Sequence, residues 1–146
     1  MSTPTDPAPH TISRRPIGVL AAMGTFVVFV ALFLPWYQGH APTRTGWSAD
    51  LYLVILVLAM TTIGGVLAAS LLTSHQIPRN AAIASTAFGF IVTITAVARL
   101  FINRPGVDSL TAPAVGGYLA LAGINTIKGV AILLLVTGHR VLASPH

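Results

Sequence analysis

Residues 51–72, LYLVILVLAMTTIGGVLAASLL, decide the fold. A stretch of this length with no charged residue, wound as a helix rising roughly 1.5 Å per residue, spans about 33 Å, enough to cross the ~30 Å hydrocarbon layer of a bilayer. The same reading outward along the chain finds three more apolar runs of similar length, Ile17–Leu34, Ala81–Ile102 and Ala114–Thr137. The expectation is an all-α integral membrane four-helix bundle with little mass outside the bilayer.

Composition agrees. Hydrophobic residues make up 54% of the 146, and charged ones only 8%, against roughly 25% in an ordinary soluble domain. The net charge of +5 would suggest nucleic acid in a soluble protein. Here the basic residues stand singly at the edges of apolar runs, where they orient helices and meet anionic headgroups, so nucleic acid is not an expected partner. With no cysteine, disulfides, thiolate metal sites and cysteine nucleophiles are excluded.

Pro16, Pro35, Pro42, Pro78, Pro105 and Pro113 bracket the four runs, and the other four prolines fall in the tails, so none is expected to break a helix interior. Asp50 and Asn80, each just before an apolar run, read as N-caps. Residues 1–13 are too polar and proline-rich to pack and read as a disordered cytoplasmic tail. Residues 14–140 form the membrane domain, and 141–146 a second short tail. Ser13-Arg14-Arg15 has the look of a twin-arginine signal, but three further membrane runs follow, and an uncleaved first helix fits better. The basic residues place Arg14, Arg15, Arg79 and Arg140 in the cytoplasm and Arg44 and Arg104 outside, an N-in/C-in arrangement. The segments 36–50 and 103–113 then face the exterior, and the turn 74–80 faces inward.

Small residues recur at every fourth position in the second run (Thr61, Gly65, Ala69) and in the third (Ala81, Ser85, Gly89, Thr93). Such spacing makes a ridge along one helix face that lets two backbones approach closely, so these residues are expected to pack the second and third helices tightly. Trp36, Tyr37 and Trp47 read as an interfacial aromatic belt. Trp47, between Gly46 and Ser48, is also a candidate for docking on a partner, since tryptophan is common in interface hot spots.

Lys128 is the most informative residue. By position it lies within about 4 Å of the middle of the fourth run, with some 11 Å to the nearer headgroups. A lysine reaches roughly 6 Å, and helical side chains lean toward the helix N-terminus, away from that surface. Burial of a lysine there costs about 2.5 to 3.5 kcal/mol on the insertion scale, so it should face protein or water. Tyr118 and Asn125 share its face as a polar stripe that Thr93 or Thr95 of the third helix can meet. The structural reading is that Lys128, charged or neutral, donates to Asn125, a threonine or a free carbonyl and specifies helix packing. The functional reading is a charged Lys128 with an anionic partner, which would be another subunit's carboxylate, a lipid phosphate or an anionic ligand, because Asp6, Asp50 and Asp108, the protein's three acidic residues, all lie outside the apolar runs. The same absence argues against a carboxylate proton relay or hydrolase in the membrane.

Arg99, near the outer end of the third run, reads with Arg104 as a headgroup anchor, or as a contact for an anionic lipid or an acidic loop. No two of the five histidines stand four residues apart, and no Gly-x-Ser-x-Gly or phosphate-cradling loop occurs, so neither a metal, a cofactor nor an enzyme activity is expected.

Leu34-Pro35-Trp36-Tyr37, Gly46-Trp47, Arg99 with Arg104-Pro105-Gly106, and Gly117-Tyr118-Leu119 together resemble the small four-helix membrane proteins common in actinobacteria. The likeness spans residues 14–137. It implies a bacterial plasma membrane and supplies no catalytic residue, and Lys128 is not part of its pattern.

Two expectations about function follow. The first is a non-enzymatic accessory or scaffold subunit of a larger membrane complex, or a homo-oligomer, that uses its small-residue seams, the Trp47 loop and Lys128. The second is a small oligomeric transporter, channel or lipid-binding protein with Lys128, Asn125 and Tyr118 at its site.

Overall fold

The computed structural model describes residues 14–39, 44–49, 51–73, 75–102 and 112–141. The tails at 1–13 and 142–146, the Asp50 cap and the Arg104-Pro105-Gly106 motif lie outside the described residues. The chain is mostly helical, with α1 (Arg14–Ala31), a short turn of helix α2 (Gly46–Ala49), α3 (Leu51–Leu72), α4 (Arg79–Val97), which continues through a π-helical turn Ala98–Ile102, and α5 (Val115–Val141). Four helices, α1, α3, α4 with its π turn, and α5, are long and apolar enough to cross a membrane.

Three boundaries depart from the sequence reading. Pro16 does not precede the first helix but sits in its first turn, where its missing N–H has no helical acceptor to lose. At the other end α1 tightens into single-turn bonds, Leu34 N–H to Ala31 O at 3.2 Å among them, and stops where Pro35 disfavours a helical residue before it. Asn80 is not an N-cap: α4 begins at Arg79 behind Pro78, with no side-chain cap. The Pro78 carbonyl instead accepts from Ala81 and Ala82 at 3.0 and 3.2 Å, because the extended Pro78 backbone (φ −57°, ψ 139°) already turns its carbonyl into the first turn.

The bundle is built around α1. Its buried stripe, Ile17, Ala21, Gly24, Val28 and Ala31, recurs at three- and four-residue steps and so lies on one helical face. α1 packs along both α3 and α5, and α4 packs along α5, whereas α3 and α4 touch sparsely. α1 and α5 approach closely at Gly24 and Gly123, where a methyl added to Gly123 would fall 2.8 Å from the Gly24 carbonyl and against Val28. Leu32, Leu53, Val57, Met60, Val92, Ile124 and Ile127 fill the interior.

The expected tight seam between the second and third membrane helices is therefore not there. On α3 the close contact is made one residue earlier than the Gly65 ridge: a methyl on Gly64 would strike Thr25 and Ile127, while one on Gly65 would meet nothing within 4 Å. Thr61 is only partly buried and Ala69 is exposed. On α4 the ridge is half right, since Ser85 and Gly89 are buried and Ala81 is exposed, but Gly89 faces Lys128 of α5 and the Met60 methyl. The loose α3–α4 side leaves a groove of about 230 Å³ at the turn end, lined by residues that include Val66, Ser70, Gln76 and Ala81.

The sequence reading had no strands, but three short ones form. β1 (Pro35–Gln38), β2 (Arg44–Thr45) and β3 (Ala112–Pro113) make an antiparallel sheet in the order β2-β1-β3, with Pro35 opposite Thr45 and Tyr37 opposite both Arg44 and Pro113. The sheet ties the segment after α1 to the segment before α5, so both lie at one end of the bundle, as expected of two loops on the same side.

Candidate functional site

The polar side chains of the membrane helices mostly satisfy themselves. The Thr25, Thr61, Thr62, Ser85, Thr86, Thr93 and Thr126 hydroxyls each donate to the carbonyl four residues earlier, which is how a hydroxyl is tolerated in a helix away from water. Asn125 behaves alike, its amide donating to Leu121 O at 2.8 Å while the side chain stays exposed.

Lys128 cannot be satisfied in this way, because one carbonyl of its own helix would take only one of an ammonium's three N–H donors. It is half-buried on the edge of α5 that faces α4. Its Cβ and Cγ pass over Gly89, where a side chain would come within 3.1 and 3.2 Å of them. Glycine at 89 thus opens the notch that the lysine stem occupies. Beyond it the Nζ donates to Thr93 Oγ1 at a long 3.4 Å and lies 4.4 Å from the centroid of the Phe90 ring. Thr93 is a well-placed acceptor because its own proton is used on Gly89 O at 2.7 Å. The ring face adds attraction of about 0.5 to 2 kcal/mol for a cation held this way.

Among the sequence candidates, then, Lys128, Thr93 and Gly89 come together. Asn125 lies one turn before Lys128 on the exposed strip of α5 and does not bond to it. Tyr118 belongs to a different place: ten residues, or about 15 Å of helix, separate it from Lys128, and its ring packs edge-to-face on Phe101 at 5.9 Å. The stripe read as one site is thus two. Phe90 is the participant that the sequence reading missed. One aromatic among many in an apolar helix carries no signal, and only the axial register of α4 against α5 brings it to the ammonium.

The sheet end holds the second cluster. Trp36 and Tyr37, read as an interfacial belt, are instead 1% and 2% exposed. The Trp36 indole donates to Ala31 O at 2.7 Å, joining the Leu34 amide on a carbonyl whose α-helical donor would have been the N–H that Pro35 lacks, and Trp36 O accepts from Ala114 N–H at 2.8 Å. Gly46 and Gly116 flank the ring so closely that a methyl on Gly116 would lie 2.6 Å from its Cδ1. Tyr37 donates its hydroxyl to Arg99 O at 3.0 Å, joining the sheet to the π turn. Arg99 is half-buried in that turn. Trp47 is the ring that stays outside, 46% exposed, stacked edge-to-face on Phe33 at 5.9 Å, which in turn meets Phe29 at 5.4 Å.

The described parts of all four short motifs that carried the actinobacterial resemblance, at 34–37, 46–47, 99 and 117–119, gather at this end. No family model matches the chain, and no curated protein or solved structure is significantly similar to it.

Proposed function

We propose that this chain is a non-enzymatic multi-pass protein of a bacterial plasma membrane, with both termini cytoplasmic, that serves as an accessory or scaffold subunit of a larger membrane complex. One observation carries the reading: the Asn125 amide and the Lys128 amine of α5 lie at the surface of the bundle, not in its buried interior. Asn125 is exposed and Lys128 stands at the rim of the α4–α5 contact, while Ser85 is the one buried polar side chain among the described residues and bonds its own helix. A packed apolar interior offers no polar path through a single chain, and a polar strip on the lipid-facing side is what a partner helix covers. The exposed Trp47, held by a buried cap, supplies an amphipathic contact at the bundle's end. Arg14, Arg15 and Arg79 at the end opposite the sheet support the cytoplasmic termini.

Extraction from native membranes into lipid nanodiscs, followed by mass measurement, tests the proposal. A defined complex with other membrane proteins is the expected result. A chain that runs alone, or a homo-oligomer that passes solute when reconstituted in vesicles, overturns it and favours the rival transporter or channel built between copies.

A further inference from the structure

Resting on that reading, the depth of the Lys128 ammonium identifies the chemistry of the partner. The fourth span covers Val115–Thr137 and the third Arg79–Ile102, so their middles fall at residue 126 and between residues 90 and 91. Lys128 starts about 3 Å beyond the middle of its own span. Its side chain then leans back toward the helix N-terminus, as helical side chains do, and the Nζ ends over Phe90, the middle of the neighbouring span. Two helices thus place the charge independently at the same level, the centre of the membrane.

That position eliminates three sources of counter-charge. A lipid phosphate at either surface is about 15 Å from the middle of the spans, beyond a lysine's reach. Asp6, Asp50 and Asp108 are the chain's only acids, and by sequence all three fall outside the four spans. A second copy of the chain brings the same acid-free spans, so self-association does not supply the missing charge either. Among the described residues the ammonium has one long hydroxyl contact and one ring face, and neither neutralises it. The side of α5 next to it is open: Asn125 is exposed, Phe90 is 48% exposed, and Ile94, one turn along α4, is 67% exposed. A helix laid along the exposed α4–α5 face would cover Phe90 and Ile94, meet the Asn125 amide and bring a side chain to the Nζ.

We infer that the α4–α5 face around Lys128 docks a transmembrane helix of a different protein, and that an Asp or Glu at the middle of that helix pairs with the Lys128 ammonium. Asn125, with one amide hydrogen on Leu121 O, keeps a second hydrogen and its carbonyl for the same helix.

The absence of cysteine makes a clean assay available. The full chain, labelled at Gln76→Cys in the exposed turn, is reconstituted in phosphatidylcholine vesicles with a labelled single-span Leu/Ala peptide that carries one central Glu, or one central Gln, and association is read by energy transfer. The Glu peptide is expected to bind about tenfold more tightly than the Gln peptide, the scale of a polar contact between membrane helices. Lys128→Met and Lys128→Gln should abolish the difference and Lys128→Arg keep it, while Asn125→Trp, which obstructs the face without removing the charge, should weaken binding of both peptides. Unchanged helical circular dichroism and thermal midpoint certify that each variant is folded. Equal binding of the two peptides, or a Glu preference that survives Lys128→Met, overturns the inference. Neither result touches the subunit proposal, which stands or falls on what the native chain extracts with.

Discussion

The sheet end and the middle of the α4–α5 contact handle their polar groups in opposite ways. At the sheet end the buried donors close on the chain itself: the Trp36 indole on Ala31 O, the Tyr37 hydroxyl on Arg99 O, the Ala114 amide on Trp36 O. At Lys128 the amine is met by a 3.4 Å hydroxyl contact and a ring. A buried polar group that is satisfied internally adds to stability, and a charge left half-satisfied in a low-dielectric setting subtracts from it. The difference separates a finished region, where Trp36 and Tyr37 close on the chain itself, from the α5 face, which the proposed partner helix would complete.

The largest test falls on the finished side. Trp36→Ala removes a ring that is 1% exposed, with two glycines shaped around it, and leaves a cavity at the sheet end. A loss of about 3 to 5 kcal/mol is expected, read as a fall in the unfolding midpoint in detergent. If Trp36 were an interfacial anchor resting in headgroups, as its sequence position suggests, the loss would be a small fraction of that.

Next comes a pair of neighbours that separates packed from unpacked glycine. Gly64→Ala pushes a methyl into Thr25 and Ile127 and should destabilise by about 1 to 3 kcal/mol, the usual range for overpacking. Gly65→Ala places the same methyl in open space and should change stability by no more than about 1 kcal/mol, in the stabilising direction, since alanine is the better helix former. The reverse order would restore the Thr61-Gly65-Ala69 seam.

That pair also shows what the sequence could and could not reveal. The spans are legible because a 20-residue apolar run has few alternatives, and α3 emerges with the same ends that its run predicts, Leu51 and Leu72. Its rotation is not legible: a helix apolar on all sides carries no amphipathic signal to say which face is inward, so Gly64 and Gly65 look alike until the neighbours are placed. The strands were missed because two of them are only two residues long, Arg44–Thr45 and Ala112–Pro113, too short for an alternating pattern. Lys128 stood out from its depth in one run, but Phe90 depended on how far α4 slides against α5, which no single helix encodes. The third span also hid its π turn at 98–102, whose i to i+5 bonding leaves no mark in composition.

A smaller effect is expected at the join between sheet and π turn. Tyr37→Phe keeps the buried ring and deletes its bond to Arg99 O. The carbonyl loses a donor in a site where water is scarce, so the loss should be about 1 kcal/mol, again by thermal unfolding. Gln38 and Ala112 pair beyond it and should hold the sheet together in the variant.

The last change is the smallest and has the opposite sign. Lys128→Met retains an unbranched stem that lies over Gly89 and places a thioether against Phe90, a contact that aromatic rings accept well. It removes a charge whose chain-internal partners are weak, and replacing an imperfectly paired buried ion by an apolar group of similar volume is often neutral or stabilising. The isolated protein should therefore be unchanged or gain roughly 0.5 kcal/mol, measured on the same unfolding curves as Trp36→Ala. A loss as large as that of the cap variant would mean that Lys128 belongs to the finished part of the molecule, completing the α4–α5 contact for its own sake. A gain, coupled with loss of the partner from the native complex, would fix the lysine as a residue kept against the chain's own stability for what it binds.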